Sequence, residues 1–530
     1  MKKQHKKIAM KILPPLIIFC FALLLRLCFF TGFILGDDIE EFQVMQYVMD
    51  NGPELHTAAH IRFGMWLFNV ISFSLFGISE LSFFLPTWLM SSSLGVIGYY
   101  LLLFWKYSRH KAFLAGLFIA SAPFEILIGV LRANDLIFSW VLALALYSFV
   151  VFEKKPVIQG VLLAFLIWFA FYIKLWVIYL LPALGLYYLY NLVRHKKWQG
   201  LASFVVASVV IHGITCIVWK IKTGVFMPYL YYHSATYPVP ERDLPWLFQI
   251  YPKFIFQGSE FGTTLFGLVP YILISLLVLK VILPRIAINC KKIISFDRLD
   301  IYLIAYYTSF FLLINFFPNT FNFDQYYSAP RIFRYLTPLS FPMTLHIAKL
   351  ILDFNKIKLS LKGIGISRKN IIRKYSIVLL FLLLICVNIY QADNATKPGQ
   401  IYRESLLAIV NDIKEQSPPE LVMESWLSFF MREIYLKDNN NISIIPIYSI
   451  YDAKEYEKWL HENQNNLTEG STMITGLACY VHYGCHNCGF RLRQFTGSLD
   501  PGWKLFREYD NLTYLPIPEP ARLWKWSPSD

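Results

Sequence analysis

Long apolar runs separated by short basic blocks dominate this chain, and the alternation limits its possible folds more than any motif does. Hydrophobic residues make up 56% of its 530 residues and charged residues only 16%, whereas soluble domains are nearer a quarter charged. The Lys and Arg residues behind the net charge of +14 collect between the runs, as in cytoplasmic loops of membrane proteins. The chain is therefore predicted to be an α-helical polytopic membrane protein, with membrane lipids and no nucleic acid as its surroundings.

The basic blocks also predict an orientation. The first run, residues 12–35, follows five lysines, which places the N-terminus in the cytoplasm. This run is long and ends without a small-residue cleavage site, so we expect a retained anchor rather than a signal peptide. Alternation of the later runs gives about eleven transmembrane helices. The ten later spans are predicted at 81–105, 112–130, 136–152, 157–173, 176–192, 201–219, 263–283, 301–317, 335–351 and 376–390.

Two shorter helices are predicted on the outer side, at about 39–77, between the first two spans. Within 39–49, apolar residues recur at helical spacing opposite carboxylates, a pattern typical of an amphipathic helix at a membrane surface. The apolar stretch 61–76 follows a polar segment and is expected to be a second interfacial helix, with a full span as the alternative.

Residues 391–530 are polar enough to fold in water. Helical periods at 402–415 and 453–462 alternate with strand-like runs, which indicates a small α/β domain outside the membrane. The strand-like runs are 420–423, 443–447 and 472–476. The chain is thus divided into a membrane domain, 1–390, and an extracytoplasmic domain, 391–530.

Three cysteines and two histidines gather in this polar tail. Cys479, Cys485 and Cys488, with His482 and His486 between them, are compatible with zinc ligation. On the outer face a disulfide with one thiol left over is the favoured interpretation. No catalytic role is assigned to them.

An acidic stretch directly follows the first span. Four carboxylates, Asp37, Asp38, Glu40 and Glu41, fall within five residues. One interpretation is structural, with Asp38 as the N-cap of the helix at 39–49. The other is that a carboxylate acts as a general base for an attacking hydroxyl. Its neighbours would then raise its pKa or hold a divalent cation near Asp37 and Asp38.

Cations also collect at the predicted outer ends of spans, against the usual charge bias. They are Arg132, Lys174, Arg331 and Arg334, with Asp135 beside the first of them. Each cation alone is explained by snorkelling to lipid headgroups. Together they indicate a site for a lipid phosphate.

Two histidines, His56 and His60, follow the acidic helix at a spacing of four residues. Two histidines are too few to define a metal site. We interpret His60 as a hydrogen-bonding partner of substrate or as a residue without a functional role.

Several short motifs occur in an order that resembles a known family. In chain order they are Asp37-Asp38, Phe76-Gly77-Ile78-Ser79-Glu80-Leu81, Leu85-Pro86, Ser92-Ser93-Leu94, Ser121-Ala122-Pro123, Arg132-Ala133-Asn134-Asp135, Lys174 and Arg334-Tyr335-Leu336-Thr337-Pro338. Over residues 12 to 350 this pattern resembles the GT-C glycosyltransferases, in the branch with protein O-mannosyltransferases and the aminoarabinose transferase of lipid A. The acidic stretch is also similar to that of α-mannosyltransferases of glycolipid-anchor and N-glycan assembly.

The resemblance implies a polyprenyl-phosphate sugar donor, inversion at the anomeric carbon and an active site on the outer face. It implies that Asp37 is the base, that Lys174 and Arg334 bind the lipid phosphate, and that Asp135 supports them. Two positions depart from the family pattern. The second acid is Asp38 rather than glutamate, and the histidine-proline-proline motif appears only as His60-Ile61-Arg62.

The predicted function is transfer of a mannose-like hexose or a pentose from this donor to a hydroxyl of a lipid, glycan or protein. The predicted location is a bacterial cytoplasmic membrane. A transporter or flippase is the alternative from another class, although transporters place their charges near the bilayer midplane. A ligase of lipid-linked glycans is a third possibility, and it would not need the acidic pair.

Overall fold

Helices form most of the protein in its computed structural model. The residues that the structure describes are 2–33, 37–52, 54, 58–131, 134–227, 252–253, 255–256, 266–286, 296–316, 333–354, 366–439, 441–447, 459, 462–475, 502–509 and 521–527.

Fifteen helices precede the first strand within these ranges, apart from short 3₁₀ segments. They are α1 (Lys2–Cys28), α2 (Asp37–Asn51), α3 (Ala58–Ile61), α4 (Phe63–Phe76), α5 (Glu80–Phe104), α6 (Arg109–Ala120), α7 (Pro123–Val130), α8 (Asn134–Val151), α9 (Pro156–Phe171), α10 (Leu181–His195), α11 (Gln199–Thr223), α12 (Val269–Ile286), α13 (Arg298–Phe316), α14 (Thr337–Phe354) and α15 (Ile366–Gln416). The predicted helical membrane protein is therefore confirmed. Each predicted span overlaps one of these helices or a pair of them.

By length and apolar composition, five helices of the described chain are able to cross a membrane on their own, and a sixth is a bent pair. Four shorter apolar helices accompany them, among them Phe63–Phe76 and Pro156–Phe171. The total of eleven spans stays a prediction.

The predicted span 112–130 is formed by two helices rather than by one. It consists of α6 and α7, whose axes are bent by 51°. Proline at position 123 has no N–H and cannot donate to the preceding turn, so the helix breaks there. The Ala122 N–H instead donates to the Ile119 carbonyl (3.2 Å), which closes α6.

Only three residues of helix α11, Gly200, Cys216 and Trp219, are buried in the protein, although its sequence is strongly apolar. Only 6% of its most apolar window is buried in the protein. It packs along α9, where Trp168 donates to the Thr215 hydroxyl (2.9 Å). Such a helix is stable only where lipid covers its remaining surface.

The chain divides into two compact units. The first comprises residues 1–28, 51–68 and 86–395, and the second comprises 29–50, 69–85 and 396–530. The second unit therefore contains helix α2 and the start of α5 in addition to the polar tail. The predicted boundary at residue 390 lies inside α15, which also contains the helix predicted at 402–415.

The tail contains a five-stranded sheet, as expected for an α/β domain. Its strands are β1 (Glu420–Glu424), β2 (Ser443–Ile447), β3 (Thr472–Thr475), β4 (Trp503–Tyr509) and β5 (Ala521–Trp526), in the spatial order β2-β1-β3-β5-β4. Strand β1 pairs in parallel with β2 and β3, whereas β5 pairs antiparallel with β3 and β4. A helix α16 (Ser425–Phe430) and a π-helical turn, Met431–Tyr435, follow β1.

Three strands were predicted from sequence and two were missed. In β4, five consecutive residues are exposed between two buried ones, so the strand lacks the alternation that identifies a half-buried strand. Of the predicted helix 453–462, only residues 459 and 462 are described.

Aromatic packing holds the second unit together around α2. The Phe33 ring lies 4.0 Å from that of Phe430 and 5.1 Å from that of Phe83, and Phe42 lies 5.5 Å from Phe73. Helix α2 buries Phe42, Met45 and Val48, but it also buries Glu41, a carboxylate that was expected on its opposite, polar face. The predicted helix is therefore confirmed, and its division into an apolar and a polar face is not. Its position at a membrane surface stays a prediction.

An ion pair fixes the start of α5 in the same unit. Arg403 donates to the Glu80 carboxylate from Nη2 (2.8 Å) and Nε (3.3 Å), and the Tyr435 hydroxyl donates to it at 3.3 Å. Glu80 belongs to the phenylalanine-glycine-x-serine-glutamate motif. These contacts give that glutamate a structural role in the second unit.

Candidate functional site: a buried cluster of cations

Three of the predicted site residues meet in the first unit, and we call Asp135, Lys174 and Arg334 the cation site. The Lys174 ammonium lies 2.5 Å from Asp135 Oδ1. Arg334 Nε lies 3.6 Å from the other oxygen of the same carboxylate. The Asp135 side chain is 1% exposed and that of Lys174 11%, while Arg334 is 25% exposed. The cation site is thus buried at its base and open on the Arg334 side.

Each residue of the cation site lies at the end of a helix. Asp135 is in the first turn of α8, where the helix dipole favours a carboxylate. Lys174 is extended between the end of α9 and the 3₁₀ helix Leu175–Leu180. Arg334 is in the 3₁₀ helix Phe333–Leu336, and the Thr337 hydroxyl donates to its carbonyl. Three segments that are distant in sequence therefore place their side chains at the same point, each from the end of a different helix.

Two aromatic rings enclose the lysine. The Lys174 ammonium lies 4.6 Å from the ring centroid of Trp176 and 4.4 Å from that of Tyr335. These two rings meet edge to face, with centroids 3.9 Å apart. Aromatic faces attract an ammonium and exclude water from it. They therefore strengthen the electrostatic field at the cation site.

The start of α4 packs against the end of α9 beside Lys174. The Gly64 N–H donates to the Tyr172 carbonyl (3.3 Å), and the rings of Phe63 and Tyr172 stack at 4.8 Å. A Cβ on Gly64 would lie 2.5 Å from the Ile173 side chain, so this close approach requires glycine. The packing brings the charge of Arg62 close enough to act on Lys174.

The cation site brings several positive charges close together. One buried carboxylate faces Lys174 and Arg334, and Arg62 adds a third positive charge nearby. Burial lowers the pKa of Lys174 to about 8, an effect that Asp135 opposes and Arg334 reinforces. An anion that entered from the exposed Arg334 side would relieve this repulsion. Chemically, the cluster is suited to bind a phosphate group.

The structure gives partial information on the other predicted residues. Asp37 and Asp38 lie in the first turn of α2, which begins two residues earlier than predicted, and their side chains are outside the described part. Arg132, Arg331, His56 and the three tail cysteines also lie outside the described residues. Their predicted roles stay predictions.

His60 lies within α3 and is buried. Its backbone carbonyl accepts a hydrogen bond from the Trp66 indole (3.0 Å). This bond fixes the turn before α4, and Arg62 follows two residues later. A role in binding substrate stays a prediction for the His60 side chain.

A second group of buried charges was missed by the sequence analysis, and we call it the lysine cluster. It consists of Lys280, Lys349, Asp297, Asp300 and Asp353. The Lys349 ammonium lies 2.8 Å from Asp300 and 2.7 Å from Asp353, and the Lys280 ammonium lies 2.7 Å from Asp300.

Two neighbouring side chains complete the lysine cluster. His346 Nε2 lies 3.0 Å from Asp300 Oδ1, and the Tyr107 hydroxyl donates to Asp353 at 2.5 Å. Burial and the Asp353 charge raise the pKa of Tyr107 well above its usual value. The tyrosine therefore stays protonated and keeps its hydrogen bond.

The three carboxylates of the lysine cluster have oxygens within 4.8 Å of one another, as metal ligands do. Lysine ammoniums already occupy the space that they share, and these neutralise most of their charge. The lysine cluster is thus compatible with a cation but is explained without one. The divalent cation predicted near Asp37 and Asp38 concerns side chains outside the described part.

One feature of the sequence could have predicted the lysine cluster. Lys349 and Asp353 are four residues apart within an apolar span, and ionisable residues inside a span face partners in the protein interior. The same rule applies to Arg26 and Glu125. The aromatic residues Trp176 and Tyr335 carried no such signal, because aromatic residues are frequent throughout the chain.

Comparisons with known proteins support the fold. No protein-family model matches the chain, and no curated protein matches its sequence. Among solved structures, ArnT from Cupriavidus metallidurans in the apo state has 12% sequence identity and a TM-score of 0.54, over 99% of this chain and 100% of that one. The same ArnT bound to undecaprenyl phosphate gives 12% and 0.53, over 97% and 99%. The expected GT-C fold is therefore confirmed for this integral membrane protein, with its helical membrane part and small C-terminal sheet.

Proposed function

We propose that this chain is a GT-C glycosyltransferase that uses a polyprenyl-phosphate-linked sugar as donor. The cation site is the observation that carries the proposal. Two cations, one of them enclosed by aromatic rings, share one carboxylate at the ends of three membrane helices. A phosphate on a lipid reaches such a position from the bilayer, because its polyprenyl chain stays among the lipid tails. The undecaprenyl phosphate bound by ArnT belongs to the same chemical class.

The proposed reaction is an inverting displacement. The acceptor hydroxyl oxygen forms a bond to the anomeric carbon, and the bond from that carbon to the phosphate oxygen breaks. The acceptor proton passes to Asp37, and the bonding electron pair leaves with the polyprenyl phosphate. Lys174 and Arg334 stabilise the negative charge that develops on this leaving group. Asp135 holds the two cations in place, while Arg132 and Arg331 add positive charge for the same phosphate.

The acidic stretch at the start of α2 supports the choice of Asp37. Both aspartates lie in the first helical turn, and Asp37 is the first acid of the motif that resembles the family. Asp38 is the second acid, and it either assists Asp37 or holds a divalent cation with it. We assign the transferred sugar to a mannose-like hexose or a pentose. We place the reaction on the outer face of a bacterial cytoplasmic membrane, with the C-terminal domain on the same face and a lipid, glycan or protein hydroxyl as acceptor.

The test is transfer of a radiolabelled sugar from polyprenyl phosphate in membranes that contain the full chain. A general base contributes roughly 10²- to 10⁴-fold to a rate, so Asp37→Asn should lower kcat by at least 100-fold. Asp38→Asn is the matched control in the same helical turn, and a smaller loss is expected there. Full activity in Asp37→Asn would exclude this residue as the base.

The products of the same assay separate the alternatives. A transporter or flippase would move the intact donor across the membrane and form no new glycosidic bond. A glycan ligase would act on a lipid-linked oligosaccharide and leave a monosaccharide donor unused. Only a transferase of the proposed kind releases free polyprenyl phosphate in equal amount to the labelled product.

A further inference from the structure

The C-terminal domain contributes two aromatic rings to the packing around helix α2. Strand β1 leads directly into α16, which ends at Phe430, and this side chain is fully buried. The centroid of its ring lies 4.0 Å from that of Phe33 and 5.7 Å from that of Phe42. The neighbouring ring of Phe429 lies 5.4 Å from that of Phe42. All four rings belong to the second unit, so α2 and the C-terminal domain share one packed core.

These aromatic contacts lie on both sides of the acidic stretch in the sequence. Phe33 precedes Asp37 by four residues, and Phe42 follows it by five. The rings of Phe33 and Phe42 both contact Phe430, and their own centroids lie 6.4 Å apart. Because α2 is a continuous helix from Asp37 to Asn51, its first turn moves together with Phe42. Phe430 therefore contacts the chain immediately before and immediately after the residue proposed as the base.

A hydrogen bond one turn further along α2 gives a second point of attachment. Gln46 Nε2 donates to Glu433 Oε2 (3.2 Å). Glu433 lies in the π-helical turn, where the Leu436 N–H donates to the Met431 carbonyl five residues earlier (2.7 Å). Such turns are rare in proteins and are frequent at functional sites. Residues four apart share one face of a helix, so Phe42 and Gln46 together fix both the axis and the rotation of α2.

The segment that leads into the acidic stretch is also held by neighbouring side chains. Gly32 has a φ of +70°, and a Cβ there would lie 2.7 Å from Arg403 Cδ and 3.0 Å from Glu80 Oε1. Any other residue would be strained in this conformation and would push against the Arg403–Glu80 ion pair. The Arg403 guanidinium also lies 4.7 Å from the ring centroid of Phe30. The chain therefore approaches Asp37 between side chains of α15 and α5.

We propose that the C-terminal domain positions the general base, because Phe430 and Glu433 hold α2 in the orientation that directs Asp37 toward the acceptor hydroxyl. Phe430 and Glu433 are positioning residues, and they act through the helix without touching the substrate. The inference rests on the proposed function for the role of Asp37. The anchoring of α2 by the C-terminal domain rests on the contacts alone.

The test uses the full chain with Phe430→Leu, which keeps an apolar side chain but removes the ring. The matched control is Met473→Ala, because Met473 is fully buried in the sheet of the same domain, in a cluster with Val422 and Trp526. The first readout is hydrogen exchange of the α2 amides, measured by mass spectrometry without substrate. The second readout is kcat and donor KM in the transfer assay, both per mole of folded enzyme.

Phe430→Leu should raise hydrogen exchange across α2 about threefold, because local opening of the helix becomes easier. Its kcat should fall roughly tenfold, since a small displacement of a reacting group is costly. The donor KM should stay as in wild type, because the cation site belongs to the first unit. Met473→Ala should match wild type in both readouts even though the cavity lowers its unfolding temperature. Unchanged exchange in a folded Phe430→Leu variant, or equal effects in Met473→Ala, would overturn the inference.

Combination with Asp37→Asn separates positioning from general stability. A residue that acts through Asp37 has no further effect once the carboxylate is gone. The kcat of Asp37→Asn with Phe430→Leu should therefore equal that of Asp37→Asn alone. If Phe430→Leu lowered kcat by the same factor in both backgrounds, it would act independently of the base and the inference would fail.

Glu433→Ala covers the case in which Phe430→Leu does not fold. Glu433 is only partly buried, so its substitution leaves the aromatic core intact and removes the acceptor for Gln46. Exchange of the amides around Gln46 should rise about twofold, and an unchanged rate there would also overturn the inference. If wild type transfers no sugar but the exchange rates change as expected, the proposed function fails and the anchoring of α2 by the C-terminal domain stands.

Discussion

The two buried charge clusters of the first unit lie at opposite ends of α14 and are built differently. Arg334 of the cation site directly precedes this helix, and Lys349 and Asp353 of the lysine cluster lie in its last turns. Its 18 residues give a length of about 27 Å, close to the thickness of a bilayer's hydrocarbon core. The two clusters are therefore separated by most of the length of this helix.

The two clusters differ in the number of carboxylates that surround their cations. In the lysine cluster, two lysines face three carboxylates, and Lys349 and Asp300 are fully buried. In the cation site, two cations share one carboxylate, and Arg334 remains a quarter exposed. A closed cluster in which both lysines contact carboxylates holds helices together, whereas a cluster whose arginine is partly exposed gives an anion access to its cations. Similar residue types thus serve structure at one end of α14 and binding at the other.

The largest effect is expected from Lys349→Met. The substitution leaves buried carboxylates without their main partner, which costs about 3–5 kcal/mol. Thermal unfolding in detergent should show this loss, while Lys154→Met, an exposed lysine, should change stability by less than about 0.5 kcal/mol. A loss for Lys349→Met as small as that for Lys154→Met would show that the cluster is not structural.

The same substitution at the cation site, Lys174→Met, should raise the donor KM more than it lowers stability. Lys174→Met removes a phosphate contact, and the donor KM should rise roughly 100-fold, or about 2.7 kcal/mol. Stability should fall less than for Lys349→Met, because Asp135 keeps Arg334 as a partner. Steady-state kinetics and thermal unfolding on both variants make each the control of the other. A large loss of stability with unchanged KM would remove the distinction between the clusters.

The pH dependence of donor binding sharpens the comparison further. Lys174 has a pKa lowered to about 8, so in the free enzyme it loses its charge as the pH rises through about 8. The protonated form binds phosphate, and the donor KM should therefore be constant below pH 7 and rise about tenfold between pH 7 and 9. In Lys174→Arg the cation stays charged, and its KM should be flat over this range. A rise of the same size in that variant would assign the titration to another group.

The smallest effect is expected from Tyr107→Phe. The change deletes one donor to Asp353, which keeps Lys349 as a partner, so the loss is about 1 kcal/mol. Thermal unfolding should detect it, and the donor KM should not change. An altered KM would mean that the lysine cluster communicates with the cation site.

Sequence patterns predicted the helices and singled out three residues that the structure brings together, because both depend on local or chemical signals. Apolar runs give spans directly, and cations at helix ends stand out against the charge bias. Asp135, Lys174 and Arg334 were identified in this way, although their contacts depend on a tertiary fold that the pattern does not contain.

Other features could not be predicted because they depend on packing between distant segments. The roles of Trp176 and Tyr335 appear only when two helix ends meet. The break at Pro123 was missed because proline is tolerated in spans when other groups satisfy the freed carbonyls, and here the partner is Arg26, 94 positions away from Ala120. Strand β4 was missed because its exposed residues do not alternate.

The exposure of α11 has a consequence for how this protein changes over evolutionary time. A helix that meets mainly lipid is selected for its average hydrophobicity, and almost any apolar residue serves at most of its positions. Substitutions there accumulate without cost to the fold, so the amino-acid identities of two descendants drift apart while their backbones stay superimposable. The backbone fold and a few buried charged residues are then retained longer than sequence identity. Searches for distant relatives of this chain should therefore compare structures and the positions of these charges.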